Sequence, residues 1–356
     1  MKRSKLLLLS LAVPALVSLA LPGDEVRFAP EAGTELAKTF NTTVELSLDE
    51  MRMVMNGEEQ DASMLQMEMT MTNSSEFAWT DTFGTTTDGH PARLARTFNA
   101  LSNTTTTSQS NQFTGSVDND VSSASELEDK TVNFVWNEDE SKYDASFPED
   151  DDSDVELLDD LIEDTDLRGF LPESAVAVGD TWSIDANYLI NLMGPGGNLK
   201  LVPDEADMPD GAGPSPGSDL SFSEMLGEIE GDVDCEYKGL REVDGNKFAA
   251  IAISVDVTSA NDLTEMIKEK MDAIDMSEQG VEMDFQSADV ELAIEGEGTL
   301  LWDLEAGHFA SFDLSADMSQ TMDMAMSMGT PMGDMDIEQT IEMSGTINFE
   351  FAASKE

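Results

Sequence analysis

The sequence predicts a mainly β protein with a few crossing helices, built on a large curved antiparallel sheet or half-barrel meander. Two observations predict this class: apolar and polar residues alternate with a period of two through long stretches, and short glycine-containing turns separate those stretches. Alternation of this kind is what a strand needs when one face is buried and the other meets water. The apolar fraction of 40% follows this order, which argues against disorder in a chain with a formal net charge of −56.

The clearest alternation lies in the last hundred residues. Apolar side chains take the even positions over 290–304 and again over 312–328, and they take the odd positions over 335–351. The segments 305–308 and 329–333 between them contain glycine and read as turns. This pattern predicts a three-stranded antiparallel meander whose last strand is unusually long, at roughly 17 residues.

Less regular alternation predicts further strands nearer the start of the chain. The apolar residues over 44–48 sit on even positions and those over 51–55 on odd positions, so the phase changes at Asp49-Glu50. Such a change indicates a β-bulge or a break. Two hairpins are also expected, one over 132–147 with its turn at 137–142 and one over 233–257 with its turn at 242–247.

Three stretches have helical rather than alternating periodicity: Asp154–Asp164, the shorter Phe222–Ile229, and Asn261–Met276. We expect these helices to lie across the apolar face of the sheet. Residues 102–129 are polar and rich in threonine and serine, and they read as a weakly ordered or edge segment.

The first 20 residues predict a signal peptide. Lys2, Arg3 and Lys5 precede an apolar run, and Ser18 and Ala20 place small residues at the positions that a signal peptidase reads. A cut after Ala20 would give a periplasmic or secreted protein, and an uncleaved anchor is the alternative. The rest of the chain divides into a β-rich half with one helix over 21–193, a Gly/Pro/Asp-rich loop over 194–220, and a β-meander half with one or two helices over 221–356. The two halves could also form one continuous domain.

Composition excludes several classes of partner. The chain has 18 Lys+Arg against 74 Asp+Glu, so nucleic acids and anionic membrane surfaces would be repelled. One cysteine allows no disulfide within the chain, and two histidines leave little for histidine-based sites. Weak binding of divalent cations fits such a charge, and the oligomeric state is open.

One segment carries a resemblance. The run Leu171–Trp182 reads LPESAVAVGDTW, and Tyr237–Gly239, Gly296–Thr299 and Trp302–Gly307 follow it with a matching spacing of glycines and aspartates. The run resembles the phrase "LP..V.VGDTW" of uncharacterised exported bacterial β-sheet families. The resemblance implies a large antiparallel sheet crossed by helices, similar to the half-barrel of periplasmic lipoprotein carriers. It implies no activity and transfers no functional residue. From the residues themselves, Gly179-Asp180 predicts a turn and Trp182 a buried anchor.

The methionines are the most unusual residues and give the candidate ligand-binding positions. Met322, Met324, Met326 and Met328 place four thioethers on one side of a strand, and Met51/Met53/Met55 and Met67/Met69/Met71 repeat the arrangement. Methionine lines adaptable apolar cores and surfaces, so core packing and a lipid- or peptide-accommodating surface both fit. Thioethers also select Cu(I), although neither histidine nor cysteine lies near them in sequence.

The candidate metal ligands are the acids Asp150, Asp151, Asp152 and Asp154. They could bind Ca²⁺, but the run lacks the glycine and the final acid of an EF-hand loop. A solvated acidic loop that also caps a helix is the alternative.

No enzymatic motif is present: G-x-S-x-G, the P-loop pattern and H-E-x-x-H are all missing from the sequence. We therefore expect an exported, soluble, highly acidic, non-enzymatic protein without a cofactor, which binds an apolar ligand, a lipid or a partner protein on the apolar face of its sheet. The alternative is a structural or envelope-associated protein with a dry core and a cation-attracting surface. Copper binding and a carboxylate-pair hydrolase are more distant alternatives.

Overall fold

The computed structural model describes residues 23–60, 68–111, 115–204, 226–273, 282–330 and 333–355. The predicted fold class is confirmed, because these residues form mostly β-structure dominated by one large antiparallel sheet that is not closed. The predicted signal peptide over 1–20 lies outside the described residues. The strands, in chain order from β1 to β16, are Glu35–Met55, Glu58–Glu59, Glu68–Phe83, Thr86–Thr87, His90–Pro91, Arg93–Asn111, Gly115–Ser125, Thr131–Asn137, Lys142–Ser146, Thr181–Ile184, Leu201–Pro203, Ile229–Val243, Asn246–Asp262, Glu282–Asp303, His308–Thr330 and Gly333–Lys355.

Among the described residues the main sheet contains fourteen strands, and eleven of them follow the order β10-β12-β13-β14-β15-β16-β1-β3-β6-β7-β11. Strand β2 pairs with the end of β1, β8 pairs with both β6 and β9, and β4 and β5 form a separate two-stranded sheet. The C-terminal strand β16 pairs with the N-terminal strand β1 over nearly its whole length. Strands from both of the proposed halves therefore belong to one sheet.

Four strands at the centre of this sheet are very long. Strands β14, β15 and β16 have 22, 23 and 23 residues, and β1 has 21, so the last strand exceeds its expected length. The predicted phase change in β1 is confirmed as a register shift between Leu48 and Glu50. Because of this bulge, the even positions before it and the odd positions after it point to the same side of the sheet.

That side, called the inner face here, carries an aromatic core. Phe40 of β1 stacks on Trp79 of β3 with ring centroids 4.3 Å apart, and Phe312 of β15 lies 5.5 Å from Phe351 of β16. All four side chains are almost completely buried. Gly345 of β16 also lies on the inner face, and a Cβ there would collide with the backbone of Glu45 in β1. The close approach of the two strands thus requires glycine at this position.

The connection from β10 to β11 joins the two opposite ends of the sheet. β10 pairs with β12 and β11 pairs with β7, yet only residues 185–200 separate the two strands. This short span brings the two ends near each other, so the sheet curls around its inner face. Residues 161–200 without strand β10, called the plug segment, fill one half of the interior. Phe170, for example, lies 5.6 Å from Phe312, and α1 (Leu189–Met193) buries Leu189 and Leu192.

The helix predicted over Asp154–Asp164 is wrong. Only a 3-10 turn forms, over Val155–Leu158, with Asp154 as its N-cap. Asp160 then takes a left-handed conformation, and the Ile162 amide donates to the carbonyl of Gly196 at 2.8 Å. The Asp160 carbonyl and the Ile162 amide, which would continue the helix, are thus bonded to Asn198 and Gly196 instead.

Of the other two helices, the one predicted over Asn261–Met276 forms as α2 over Thr264–Ala273, and the residues after it lie outside the described range. As expected, it packs on the sheet, through Ile267 and through Leu263, which directly precedes it. The candidate Phe222–Ile229 falls mostly outside the described residues, and Ile229 begins β12.

Three smaller expectations need correction. Residues 102–129 are not weakly ordered, since they carry the long strands β6 and β7, although β7 is near the edge. The irregular loop predicted over 194–220 contains the short strand β11 in its described part. Trp182 is half-buried rather than fully buried, and its indole N–H donates to the Phe170 carbonyl at 3.1 Å.

Candidate functional site

The predicted methionine candidates in the described residues lie together on the inner face, at the end of the sheet beyond the plug segment, and Met67 lies outside the described residues. Strand register places them in rows across β15, β16 and β1: Met322–Ile341–Met51, Met324–Gln339–Met53 and Met326–Ile337–Met55. Met71 of β3 pairs with Leu46 of β1 and so extends this surface sideways. We call Met51, Met53, Met55, Met69, Met71, Met322, Met324, Met326 and Met328 the methionine face.

The methionine face is partly open. Each of its nine methionine side chains is half-buried, whereas Met318 and Met343, which continue the same strands toward the aromatic core, are buried. Met322, Met324 and Met326 pack against the small cluster that α2 forms with Phe285 and Val290. Met51, Met53 and Met55 belong to neither of the two buried clusters. The sheet therefore keeps an accessible apolar surface here, while the plug segment fills its other half.

The neighbouring inner positions on β3 and β6 are polar but uncharged. Asn73 donates to Asn103 and to Thr105, at 3.2 and 2.9 Å, and Asn103 donates to Ser75 at 2.8 Å. The Gln109 amide lies 3.7 Å from the sulfur of Met69. Because these groups bond to one another, they cost little to bury beside an apolar surface.

The acids take the opposite, outward positions. Asp323, Glu338 and Glu342 are exposed on the strands whose inner positions carry the methionines. The net charge of −56 is therefore concentrated on the outer face and in the loops. A depression of about 660 Å³ on this outer face is lined by Asp234, Glu236 and other outward residues of β12 to β16.

A second feature, a buried ion cluster, lies under the plug segment. The Lys38 Nζ donates to Asp81 at 2.7 Å and to Asp166 at 2.6 Å, and Arg96 binds both oxygens of Asp81 at 2.8 and 3.0 Å. Arg96 also donates to the carbonyls of Ile162 and Glu163. Lys38, Asp81 and Arg96 come from three strands, so these bonds fasten the plug segment onto the sheet.

The ion cluster shifts the pKa values of its acids in opposite directions. Burial alone would raise the pKa of Asp81, but the adjacent Arg96 and Lys38 hold it below its ordinary value. Burial raises the pKa of Glu163 to about 7, since desolvation outweighs the attraction of Arg168 at 2.5 Å. Burial likewise raises the pKa of Asp166 despite Lys38. Among the described residues, Glu163 Oε1 and Asp166 Oδ2 have no hydrogen-bond partner.

This cluster does not have the form of a catalytic site. Lys38, Asp81, Arg96 and Asp166 are at most 1% exposed and Glu163 is 4% exposed, so a substrate has no access to them in this conformation. Their partners fasten two parts of the chain together, which accounts for the arrangement without any chemistry. The carboxylate-pair hydrolase remains an untested alternative with no support from this geometry.

The predicted acidic metal candidates are scattered. Asp151 accepts from Ser153 and pairs with Lys130, and Asp154 caps the 3-10 turn through the amide of Glu156. Asp150 and Asp152 form no common site with them, because no set of three His, Cys, Asp or Glu side chains in the described ranges could hold a metal ion.

Sequence reasoning missed the ion cluster, although a signal was present. Lys38 stands between Leu36 and Phe40, and Arg96 stands between Leu94 and Phe98, on positions whose alternation points inward. A charged residue in an inward phase needs a buried partner. In a chain with only 18 basic residues, two of them at inward-pointing positions indicate a buried ion pair.

Comparisons with known proteins add little. No family model matches the chain, and no curated protein matches it. Among solved structures, the chain is similar to the outer membrane protein OprG from Pseudomonas aeruginosa, with 8% identity, coverage of 92% of this chain and 98% of that chain, and a TM-score of 0.22. Similarity at that score supports no argument about function. Neither helix in the described ranges has the length and apolar character needed to cross a membrane.

Proposed function

We propose that the protein is an exported, non-enzymatic binding protein that holds the apolar tail of an amphiphile on its methionine face. The observation that carries this proposal is the contrast between the two halves of the inner face. One half is filled by the plug segment, and the other presents rows of half-buried methionines. Methionine is flexible and polarizable, so such a surface adapts to tails of different shape.

The size of the ligand follows from the energetics. A fully buried methylene contributes about 0.8 kcal/mol, so contact on one side of the chain contributes about half of that. Association costs at least about 4 kcal/mol in lost freedom of motion. About ten methylenes in contact only offset this cost, so the alkyl tail of a bound ligand has to be longer than that for measurable binding.

The charge of the protein selects the headgroup. With a net charge of −56, the surface repels anionic headgroups and attracts cationic ones, while neutral ones are unaffected. Neutral and cationic amphiphiles are the expected ligands. This agrees with the exclusion of anionic membrane surfaces drawn from composition.

The test uses the neutral fluorescent probe N-phenyl-1-naphthylamine and two matched pairs of variants. Met53→Gln with Met324→Gln changes one row of the methionine face at nearly constant shape. Thr321→Gln with Ser327→Gln adds the same amides to the outward side of β15.

We expect wild type and the outward pair to bind the probe equally, and the methionine pair to bind about tenfold more weakly. Gln339 lies between the two positions and can pair with one of the new amides. The other amide, left unpaired against the ligand, costs about 1–3 kcal/mol, and 1.4 kcal/mol is a factor of ten. No binding by wild type, or equal loss in both pairs, would refute the proposal. Native mass spectrometry of the mature protein from its host should also show a co-purified lipid.

The structural or envelope-associated role is the second candidate, and the aromatic core favours it. Phe40, Trp79, Trp302 and Phe312 are completely or almost completely buried, so this half of the sheet is stable without a ligand. A ligand-free mass together with no probe binding would support this role over the binding role.

A further inference from the structure

Most of the half-buried sulfur in the described residues lies on one surface, with Met335 beside it on β16 and only Met193 and Met266 elsewhere. The nine methionines of the methionine face are half-buried, and the reference residues Met318 and Met343 on the same strands are 2% and 8% exposed. Cys235 is 1% exposed, and burial raises the pKa of its thiol to about 12, so it offers almost no thiolate. An oxidant that approaches the described part of the chain therefore meets thioethers before it meets the thiol.

We propose that the methionine face is a site of oxidative modification by neutral hydroperoxides. A thioether lone pair attacks one oxygen of hydrogen peroxide, the O–O bond breaks and an S–O bond forms. The sulfur loses two electrons, and the peroxide is reduced to water after proton transfer. The product is methionine sulfoxide. The negative surface repels anionic oxidants but does not hinder neutral hydrogen peroxide.

The inner face can accommodate the product. Gln339 lies between Met53 and Met324 in register, and the Gln109 amide already lies 3.7 Å from the sulfur of Met69. These amides are donors that a sulfoxide oxygen can accept from. Oxidation can therefore proceed in the folded protein, without the cost of an unpaired buried oxygen.

Oxidation changes the character of the surface. Each sulfoxide replaces an apolar group by a strong dipole, so several of them across the rows convert an apolar surface into a wetted one. This consequence rests on the proposed function: an oxidised methionine face should release an apolar tail. Reduction of the sulfoxides should restore binding.

The experiment treats the folded mature protein with hydrogen peroxide and follows each methionine by peptide mass mapping. We expect Met51, Met53, Met55 and Met324 to gain one oxygen atom about tenfold faster than Met318 and Met343. The same protein unfolded in urea should lose the difference. Equal rates in the folded protein would overturn the proposal, as would faster oxidation of the buried pair.

A second measurement separates this proposal from the proposed function. Oxidised and reductase-treated samples are compared in the probe assay, and each is normalised to its own untreated protein. The variant Met53→Leu with Met324→Leu, which lacks two of the nine oxidisable positions of the methionine face, serves as the comparison. Loss of probe binding on oxidation, its return on reduction, and a smaller loss in this variant support both ideas. If the untreated protein binds no probe, the binding role fails, and the mapping rates alone still decide the oxidation proposal.

Discussion

Replacing Lys38 by methionine should test whether the buried ion cluster fastens the plug segment. Lys38 contacts Asp81 at 2.7 Å and Asp166 at 2.6 Å, and all three side chains are completely buried. Methionine has nearly the same shape, so the substitution removes the charge and leaves the packing. Asp81 keeps Arg96, but Asp166 loses its ion-pair partner.

The expected cost is large because a buried carboxylate is left uncompensated. Removing one partner of a buried pair destabilises proteins by about 3–5 kcal/mol. The raised pKa of Asp166 allows it to take up a proton instead, so the cost should fall at acidic pH toward the value for an unsatisfied neutral group, about 1–3 kcal/mol.

The assay is urea unfolding followed by tryptophan fluorescence, since Trp79 and Trp302 are buried in the core. The matched control is Lys238→Met, which breaks the exposed pair with Glu236 and should leave the unfolding midpoint unchanged. The double variant Lys38→Met with Asp166→Leu removes both charges and should recover most of the loss.

A loss below about 1 kcal/mol for Lys38→Met at neutral pH would refute this reasoning, since it falls far below the cost of breaking a buried pair. So would a double variant whose loss equals the sum of the two single losses, because paired charges cannot contribute independently.

Three further predictions concern the acids, the thiol and the ligand. The pKa of Glu163 is raised to about 7 in the fold, so its contribution to stability is complete below the unfolded value, near 4.5, and is lost as the pH rises through about 7. The unfolding free energy of wild type relative to Glu163→Gln should therefore fall between about pH 5 and pH 8, and a difference that rises or stays constant would contradict it. Cys235 should resist a maleimide in the folded protein and react in urea, because it is buried and the pKa of its thiol is about 12; labelling of the folded protein, measured by mass, would disprove this. Among amphiphiles with a dodecyl tail, the one with a trimethylammonium headgroup should displace the neutral probe most strongly, the maltoside less, and the sulfate least. Added salt should reduce these differences in affinity, and stronger displacement by the sulfate would exclude the proposed charge selection.

Much of the fold could be predicted from local patterns. Alternation over 290–351 predicted three strands that the structure confirms as β14, β15 and β16, because a strand with one buried face repeats every two residues. The change of phase at Asp49-Glu50 predicted the bulge in β1. The helical period over Asp154–Asp164 misled, since Leu157, Leu158 and Leu161 pack against the core from a 3-10 turn and irregular backbone, while Val155 is exposed.

The candidate site, like the fold, was predicted in part by local pattern and decided in part by the tertiary structure. The sequence by itself determined that Met322, Met324, Met326 and Met328 share one side of a strand, because that follows from the period alone. Only the tertiary structure decided that Met51, Met53 and Met55 lie in the same rows, since this depends on the pairing of β16 with β1 across nearly the whole chain.

The sequence also determined the acidic coat and the β class, which need nothing beyond composition and alternation. Only the tertiary structure decided which half of the inner face is filled. Lys38 reaches partners 43 and 128 residues away, and such contacts depend on how the sheet curls and where the plug segment returns. Local periodicity reports which face a side chain takes, but it has no information about what later covers that face.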